Sequence, residues 1–142
     1  GNSNVLECPN IRFGSQVRYH ATYGYLIGYQ YLGDMGISDG PTSPYYFHSP
    51  TRTSEAGTNV IFADSNHWSV RDSLKLAPHT KNGSALDNGS SFTRNLPGTS
   101  ATDIGAVGGN VGLLDGSVAW KNLKEMKTNA ASSYPNYYYG LW

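Results

Sequence analysis

The sequence is poor in charge and in cysteine, and it has no long apolar run. Of its 142 residues, 14% are charged, and the formal net charge is zero. Phosphate binding needs a basic face, so this balance argues against a nucleic-acid-binding protein. The single cysteine, Cys8, excludes an internal disulfide and predicts a small buried side chain, with an exposed intermolecular thiol as the alternative. The longest apolar stretches fall far short of the roughly 18 residues that span a membrane.

Length and composition favour one β-rich domain. We expect a single globular domain over residues 1–142. Seventeen glycines and eleven tyrosines are typical of a loop-rich β domain with aromatic surface contacts. The absence of net charge removes long-range repulsion and so favours self-association. No signal peptide is visible and the chain begins at Gly1 instead of Met, which we interpret as processing or excision of an upstream segment.

The clearest element is a β-hairpin at residues 110–120, NVGLLDGSVAW. Asp115-Gly116 predicts a two-residue type I′ turn, in which both central residues have φ > 0. A second apolar run at 59–64, NVIFAD, predicts a buried strand. Alternation along these strands predicts a set of side chains on buried faces. The set is Val60, Phe62, Val111, Leu113, Val118 and Trp120.

The remaining stretches carry weaker patterns. Side chains of period two in 17–33 predict one strand with an aromatic face. That face holds Tyr23, Tyr25, Ile27, Tyr29 and Tyr31. Residues 65–109 predict a long polar stretch with little regular structure, of the kind used for function, partner contact or glycan attachment. Residues 122–128 predict one or two helical turns, and the C-terminal aromatic segment, 132–142, shows no strand pattern.

These patterns together predict a mainly β fold. We expect an antiparallel sheet with a C-terminal β-hairpin, long loops and one or two short helical turns.

No group of residues carries a catalytic signature. The four histidines lack the i, i+4 spacing of zinc sites, and no G-x-S-x-G motif occurs, so we predict no enzyme activity and no catalytic or cofactor-binding residues. An oxygen-rich set, which calcium would suit, consists of Asp64, Asp103 and Asp115, with Asn66 and Asn110. Because strand ends and turns are ordinary places for Asp, we predict that the set holds no required metal.

Two kinds of surface contact are predicted. The sequons at Asn82 and Asn88 lie in the polar stretch, where a glycan would be tolerated, with unmodified turn residues as the alternative. The C-terminal aromatic segment is too apolar to end in water, so we predict that it contacts another subunit, or at least another element. A carbohydrate-binding platform would use the same side chains. The predicted contact residues are Tyr134, Tyr137, Tyr138, Tyr139 and Trp142.

Four motifs occur in a recognisable order. They are Leu6-Glu7-Cys8-Pro9, Tyr23-Gly24-Tyr25, residues 59–64 and residues 108–120. In this order the chain resembles the globular C-terminal part of the pseudopilin-like proteins of planctomycetes and verrucomicrobia, which carry a prepilin-type N-terminal cleavage and methylation segment. The resemblance implies an exported, surface-associated protein that forms filaments or serves type II secretion, without enzyme activity. With the family's N-terminal helix the fold would be α+β.

The chain departs from this family at two points. The N-terminal hydrophobic helix is absent, so either the chain is an excerpt or this member assembles differently. The family shows a His, then nine residues, then the final Asp-Gly, and here the position of that His is Gly105. We therefore carry over no role for that His.

The sequence leads to a structural hypothesis. We expect a subunit of an extracellular or cell-surface pilus-like filament, whose partner is another copy of itself. The alternative is a secreted or surface carbohydrate-binding or adhesive module, whose partners would be glycans. Neither hypothesis involves nucleic acid or a membrane span in this chain.

Overall fold

A computed structural model describes residues 18–20, 24–26, 29–35, 41–69, 74–87, 105–131 and 138–142. Within these residues the fold is mainly β, as predicted, and one short 3-10 turn covers Leu123–Glu125. The strands are β1 (Arg18–His20), β2 (Gly24–Leu26), β3 (Tyr29–Tyr31), β4 (Val60–Asp64), β5 (His67–Ser69), β6 (Leu74–Thr80), β7 (Gly83–Asp87), β8 (Gly108–Leu113), β9 (Val118–Asn122), β10 (Thr128–Ala130) and β11 (Tyr138–Leu141).

These strands form three antiparallel sheets. A two-stranded sheet contains β1 and β2, and a four-stranded sheet has the order β3-β4-β8-β9. A five-stranded sheet has the order β10-β11-β5-β6-β7. The four-stranded and five-stranded sheets are joined through side chains at the end of β4, and this junction is where the candidate site lies.

The hairpin predicted at 110–120 is confirmed, but its turn is of a different type. Strands β8 and β9 pair in antiparallel register, with Asn110 opposite Trp120. The Gly116 N–H donates to the Leu113 carbonyl at 3.0 Å, and the Leu113 N–H donates to the Ser117 carbonyl at 2.9 Å. Gly116 has φ 87°, while Asp115 has no positive φ. The connection is therefore a three-residue loop that closes with a left-handed glycine, and the type I′ prediction is wrong.

The expectation of little regular structure over 65–109 is wrong, because β5, β6 and β7 lie there. A proline in an interior strand argues against strand assignment unless the ladder is interrupted, and Pro78 is in β6. The register between β6 and β7 shifts between Ala77 and Thr80, so the interruption is at Pro78. This bulge lets the strand continue between β5 and β7.

The aromatic face predicted for one strand in 17–33 is divided between two sheets. Tyr25 lies in β2, which pairs with β1, whereas Tyr29 and Tyr31 lie in β3, which pairs with β4. A single strand over this stretch is therefore wrong. Tyr23 and Ile27 lie outside the described residues.

The C-terminal aromatic segment contains a strand that the sequence did not predict. Strand β11 pairs with β10 on one side and β5 on the other, inside the five-stranded sheet. Leu141 and Trp142 are 7% and 4% exposed. The glycine at 140 leaves space for its neighbours, because a Cβ there would lie 2.7 Å from Gln30 Oε1 and even closer to the Trp142 ring.

Among the described residues, the core contains two clusters of buried apolar side chains, one for each larger sheet. One contains Trp68, Ala77, Ala106 and Leu141. The other contains Leu32, Ala63, Val111 and Trp142. Leu123 and Met126, from the predicted helical turns, pack against the first cluster.

The predicted buried set is partly right. Val111 is fully buried, and Val60, Phe62 and Leu113 are half-buried. Val118 and Trp120 are 56% and 47% exposed, so their predicted burial is wrong. Alternation shows which residues share a face but not which face packs on the core. The register pairs Val118 with Gly112, whereas Val111 faces the core.

Among the described residues, no helix has the length and apolar character needed to cross a membrane.

The hairpin loop gives a direct test of backbone strain. Replacing Gly116 with Val should lower the free energy of unfolding by about 1–2 kcal/mol, because a β-branched residue is strained at positive φ. A Cβ at Gly116 meets nothing within 4 Å, so backbone conformation alone decides the effect. Urea unfolding measures it. Gly116→Asn is the matched control and should cost less, since Asn tolerates the left-handed region. Equal stability of the Val variant and the parent would contradict the turn geometry.

Candidate functional site

A buried carboxylate joins the two larger sheets. Asp64 ends β4 and is 1% exposed. Its Oδ2 accepts from the Asn110 backbone N–H at 2.6 Å, from Asn110 Nδ2 at 3.0 Å and from His79 Nε2 at 2.9 Å. Because a carboxylate only accepts, His79 carries its proton on Nε2 in this contact. Asn110 belongs to β8 and His79 to β6, so one oxygen connects three strands of two sheets.

A second buried amide supports the carboxylate. Asn66 is fully buried, and its Nδ2 donates to the Gly108 carbonyl at 3.0 Å. The backbone carbonyl of Asn66 accepts from the Leu141 N–H at 2.9 Å, and this bond connects the cluster to β11. A Cβ at Gly109 would lie 2.8 Å from Asn66 Nδ2 and 3.1 Å from Asp64 Cβ. The polar cluster, which we define as Asp64, Asn66, His79 and Asn110, therefore packs directly on the glycines of β8.

Trp120 covers one side of this polar cluster. Its ring meets the His79 ring edge to face, with centroids 5.0 Å apart and planes at 76°. A Cβ at Gly108 would lie 2.9 Å from the indole, so the missing side chain leaves room for Trp120 to lie across β8. The indole is nevertheless half exposed. The arrangement presents an aromatic surface beside a buried acid and imidazole.

The polar cluster retains two oxygens without a hydrogen-bond partner. These are Asp64 Oδ1 and Asn66 Oδ1, and both are buried. In the described part of the chain, no three His, Cys, Asp or Glu side chains are grouped so as to hold a metal ion. The arrangement supplies one carboxylate and amide oxygens, which favours a structural role in joining the sheets.

The structure does not bring the predicted oxygen-rich set together. Asp64 lies beside Asn110, whereas Asp115 is exposed in the hairpin loop, where its Oδ1 accepts from the Ser117 N–H at 2.8 Å. Hydrogen bonds from the Ser117 side chain and backbone lower the pKa of Asp115. Asp103 lies outside the described residues. Asp115 therefore forms a hydrogen bond within the hairpin loop and is not part of the polar cluster.

The sequon at Asn82 lies in the exposed turn between β6 and β7. Its backbone N–H donates to Thr80 Oγ1 at 3.1 Å, and Gly83 follows with φ 101°. The Asn82 residue itself is exposed. Asn88 lies outside the described residues.

The described residues of the C-terminal aromatic segment contact their own domain. Tyr139 stacks on Trp68 with centroids 5.8 Å apart, and Tyr138 meets the His67 ring at 6.3 Å. Trp142 packs edge to face on Phe47 at 5.1 Å. Trp142 is thus part of the core. Tyr134 and Tyr137 lie outside the described residues.

A second cluster, around Glu55, organises the loop before β4. Its Oε1 accepts from the backbone N–H groups of Thr51 and Arg52 at 2.7 and 3.0 Å, and its Oε2 contacts His48 Nε2 at 2.6 Å. The backbone hydrogen bond from Thr51 and the side-chain hydrogen bond with His48 lower the pKa of Glu55 to about 2. This carboxylate shapes a surface loop.

Of the described residues, Tyr31, Val118 and Trp120 are exposed large apolar side chains on the edge strands of the four-stranded sheet. The register aligns Tyr31 with Phe62, Phe62 with Gly112 and Gly112 with Val118. We call these four residues the apolar row. The ring of Phe62 lies over Gly112, and a Cβ at position 112 would overlap with that ring. Tyr31 and Val118, at the two ends of the row, are 67% and 56% exposed.

Sequence reasoning missed both His79 and the exposure of Trp120. His79 follows Pro78 in β6, and a proline argues against a strand at this position. A signal for β6 was present in the alternation of Leu74 and Leu76. The exposure of Trp120 follows from the edge position of β9, which only the strand order reveals.

Comparison with known proteins returns no relative: no family model, no curated protein and no solved structure matches this chain.

We predict that Asp64 stabilises the junction of the sheets. Replacing Asp64 with Ala should lower the free energy of unfolding by about 3–5 kcal/mol, because the part-buried donors of His79 and Asn110 lose their acceptor. Urea unfolding measures the loss. Asp115→Ala, which removes an exposed carboxylate, is the matched control and should cost much less. A chelator should leave the wild-type melting temperature unchanged. Equal losses in the two variants would contradict the role given to Asp64.

We predict that the free energy of unfolding depends on pH through the buried imidazole of His67. Burial lowers the pKa of His67 to about 4, and its Nδ1 is buried without a partner. The unfolded chain, with an ordinary His pKa of about 6.5, takes up the proton first. The stability that the folded chain gains from a neutral His67 is complete above about pH 6.5. It falls by on the order of 2–3 kcal/mol as the pH decreases towards 4.

Urea unfolding at pH 7.5 and pH 4.5 tests this dependence. A His67→Gln variant should lose less stability between these values than the parent. His48→Gln, which changes an exposed histidine, should retain most of the parent's slope. A His67→Gln variant with an unchanged slope would show that the imidazole is solvated.

Proposed function

We propose that this chain is a non-enzymatic structural subunit of an extracellular, pilus-like filament that assembles from copies of itself. The observation that carries this proposal is the exposed apolar edge of the four-stranded sheet. Strand β9 is an edge strand, and every one of its residues is exposed except half-buried Lys121. Its Val118 and Trp120 are large apolar side chains left in solvent. Such an edge is a template for pairing with another chain.

The charge balance supports the same proposal. The chain has ten basic and ten acidic residues, so identical copies meet without net repulsion. The resemblance to pseudopilin-like proteins points in the same direction, and it motivates placing the protein outside the cell or on its surface. The role assigned here to the polar cluster is structural, and the proposal requires no reaction.

A carbohydrate-binding or adhesive module is the second candidate. The half-exposed Trp120 beside His79 favours it, because binding sites combine an aromatic surface with a few fixed polar groups. This candidate predicts monomers that bind glycans.

Electron microscopy and sedimentation of the purified protein test the proposal. We expect ordered filaments above a critical concentration, with weak dependence on salt because the net charge is zero. The same preparation should show no glycan-dependent change in tryptophan fluorescence. Monodisperse monomers at high concentration would overturn the filament proposal. Monomers whose fluorescence changes on addition of glycans, but not after Trp120→Ala, would favour the module.

A further inference from the structure

We propose that subunits join by pairing β9 of one copy with β3 of the next, so that the four-stranded sheet continues across the contact. This inference rests on the filament proposal and names the surface that carries it. The occupant of each edge is a second copy of this chain. Four features of the described residues support it: strand polarity, hydrogen-bond direction, side-chain face and the absence of charge in the two three-residue stretches that would pair.

Strand polarity allows identical copies to add in one orientation. Strands β3 and β9 are the two edges of the sheet order β3-β4-β8-β9, and all three pairings within it are antiparallel. The edges therefore run in opposite directions. A copy displaced sideways without being turned over places its β3 antiparallel to β9. Such a contact joins two different surfaces, and when its rotation does not close into a ring it repeats into a filament.

The hydrogen-bond ladders direct backbone N–H and C=O groups of β9 and β3 outward at the positions that this contact uses. The bond from Leu113 N–H to the Ser117 carbonyl fixes the alternation in the β8–β9 ladder. It directs the N–H and C=O groups of Val118 and Trp120 away from β8. On β3, the bond from Leu32 N–H to the Ile61 carbonyl at 2.8 Å has the same effect. It directs the backbone groups of Tyr29 and Tyr31 away from β4.

Side-chain direction agrees with this pairing. The register places Tyr31, Phe62, Gly112 and Val118 on one face of the sheet. Directly opposed residues of antiparallel strands share a face, so Val118 of one copy can face Tyr31 of the next. Trp120 then opposes Tyr29. The apolar row continues from one subunit into the next, and its two exposed ends cover each other.

The two three-residue stretches that would pair carry no charge. The sequence is Val-Ala-Trp at 118–120 and Tyr-Gln-Tyr at 29–31. Natural edges are commonly blocked by Lys, Pro or an inward charge. On β9 the charged part of the edge begins directly after these residues, at half-buried Lys121, and Glu125 Oε2 then accepts from the Asn122 N–H at 2.8 Å. The open part of β9 is therefore short and its length matches β3.

A charge-swap experiment tests both the surface and its register. Val118→Lys and Tyr31→Glu should each raise the critical concentration for assembly about tenfold, equivalent to about 1.4 kcal/mol. Each places an unpaired charge against an apolar partner. The double variant should recover assembly, because the register sets the introduced lysine of one copy against the introduced glutamate of the next. Tyr46→Lys changes an exposed tyrosine outside both edges and should assemble like the parent. Circular dichroism confirms folding of each variant.

The outcomes separate this inference from the filament proposal. If the parent forms filaments and both single variants assemble equally well, the edge pairing is wrong while the filament proposal stands. If the single variants fail and the double variant does not recover, the Val118–Tyr31 register is wrong. If the parent never assembles, the filament proposal fails and this inference with it.

A crosslinking measurement is independent of assembly strength. In a Cys8→Ser background, chains carrying Val118→Cys are mixed with chains carrying Tyr31→Cys and oxidised. Directly opposed residues of an antiparallel pair have Cα atoms about 4.5–5.5 Å apart, within reach of a disulfide. We expect a disulfide-linked dimer of the two chain types. Homodimers alone, or no dimer from an assembled sample, would overturn the proposed contact.

Discussion

The Asp64 carboxylate holds the four-stranded and five-stranded sheets together. Burying a charge is costly unless hydrogen bonds or an opposite charge compensate for it. Asp64 receives hydrogen bonds from Asn110 of β8 and from His79 of β6. This contact and the hydrogen bond from the Val107 N–H to the His79 carbonyl at 2.9 Å set the position of β6 against β8. The ring of Trp120 in turn packs against that of His79. The exposed aromatic surface therefore depends on a buried polar interaction beneath it.

The glycines of β8 make this arrangement sterically possible. Gly109 admits Asp64 and Asn66, Gly108 admits the indole of Trp120, and Gly112 admits the ring of Phe62. A glycine inside a strand normally weakens it by giving up side-chain contacts. Here side chains from neighbouring strands supply the missing contacts. Strand β8 contributes its backbone and the space above its glycines, whereas β4 and β9 supply the side chains that fill this space.

The sequence predicts the parts of the fold that are coded locally. The hairpin and β4 were found because alternation and a turn pair occur within a few residues of each other. Strand β6 was missed because Pro78 argues against a strand, and only the bulge in register with β7 accommodates it. Strand β11 was missed because both of its neighbours, β10 and β5, are set by tertiary pairing. The candidate site was harder to predict than the fold, since His79 comes from the strand that was not foreseen. The exposure of Val118 and Trp120 likewise depends on which strands become neighbours, and strand order is not written in local periodicity.

The place of β11 between β10 and β5 has a consequence for synthesis of the chain. Gly140 pairs with His67, about seventy residues earlier, so this pairing is among the slow, non-local steps of folding. On the ribosome, β5 and β6 emerge long before the strand that completes their sheet. Until β11 arrives, the free side of β5 and the ring of Trp68 lack their partners. The nascent chain thus passes through a stage with an open sheet edge, and chaperone protection during translation would matter most in that interval.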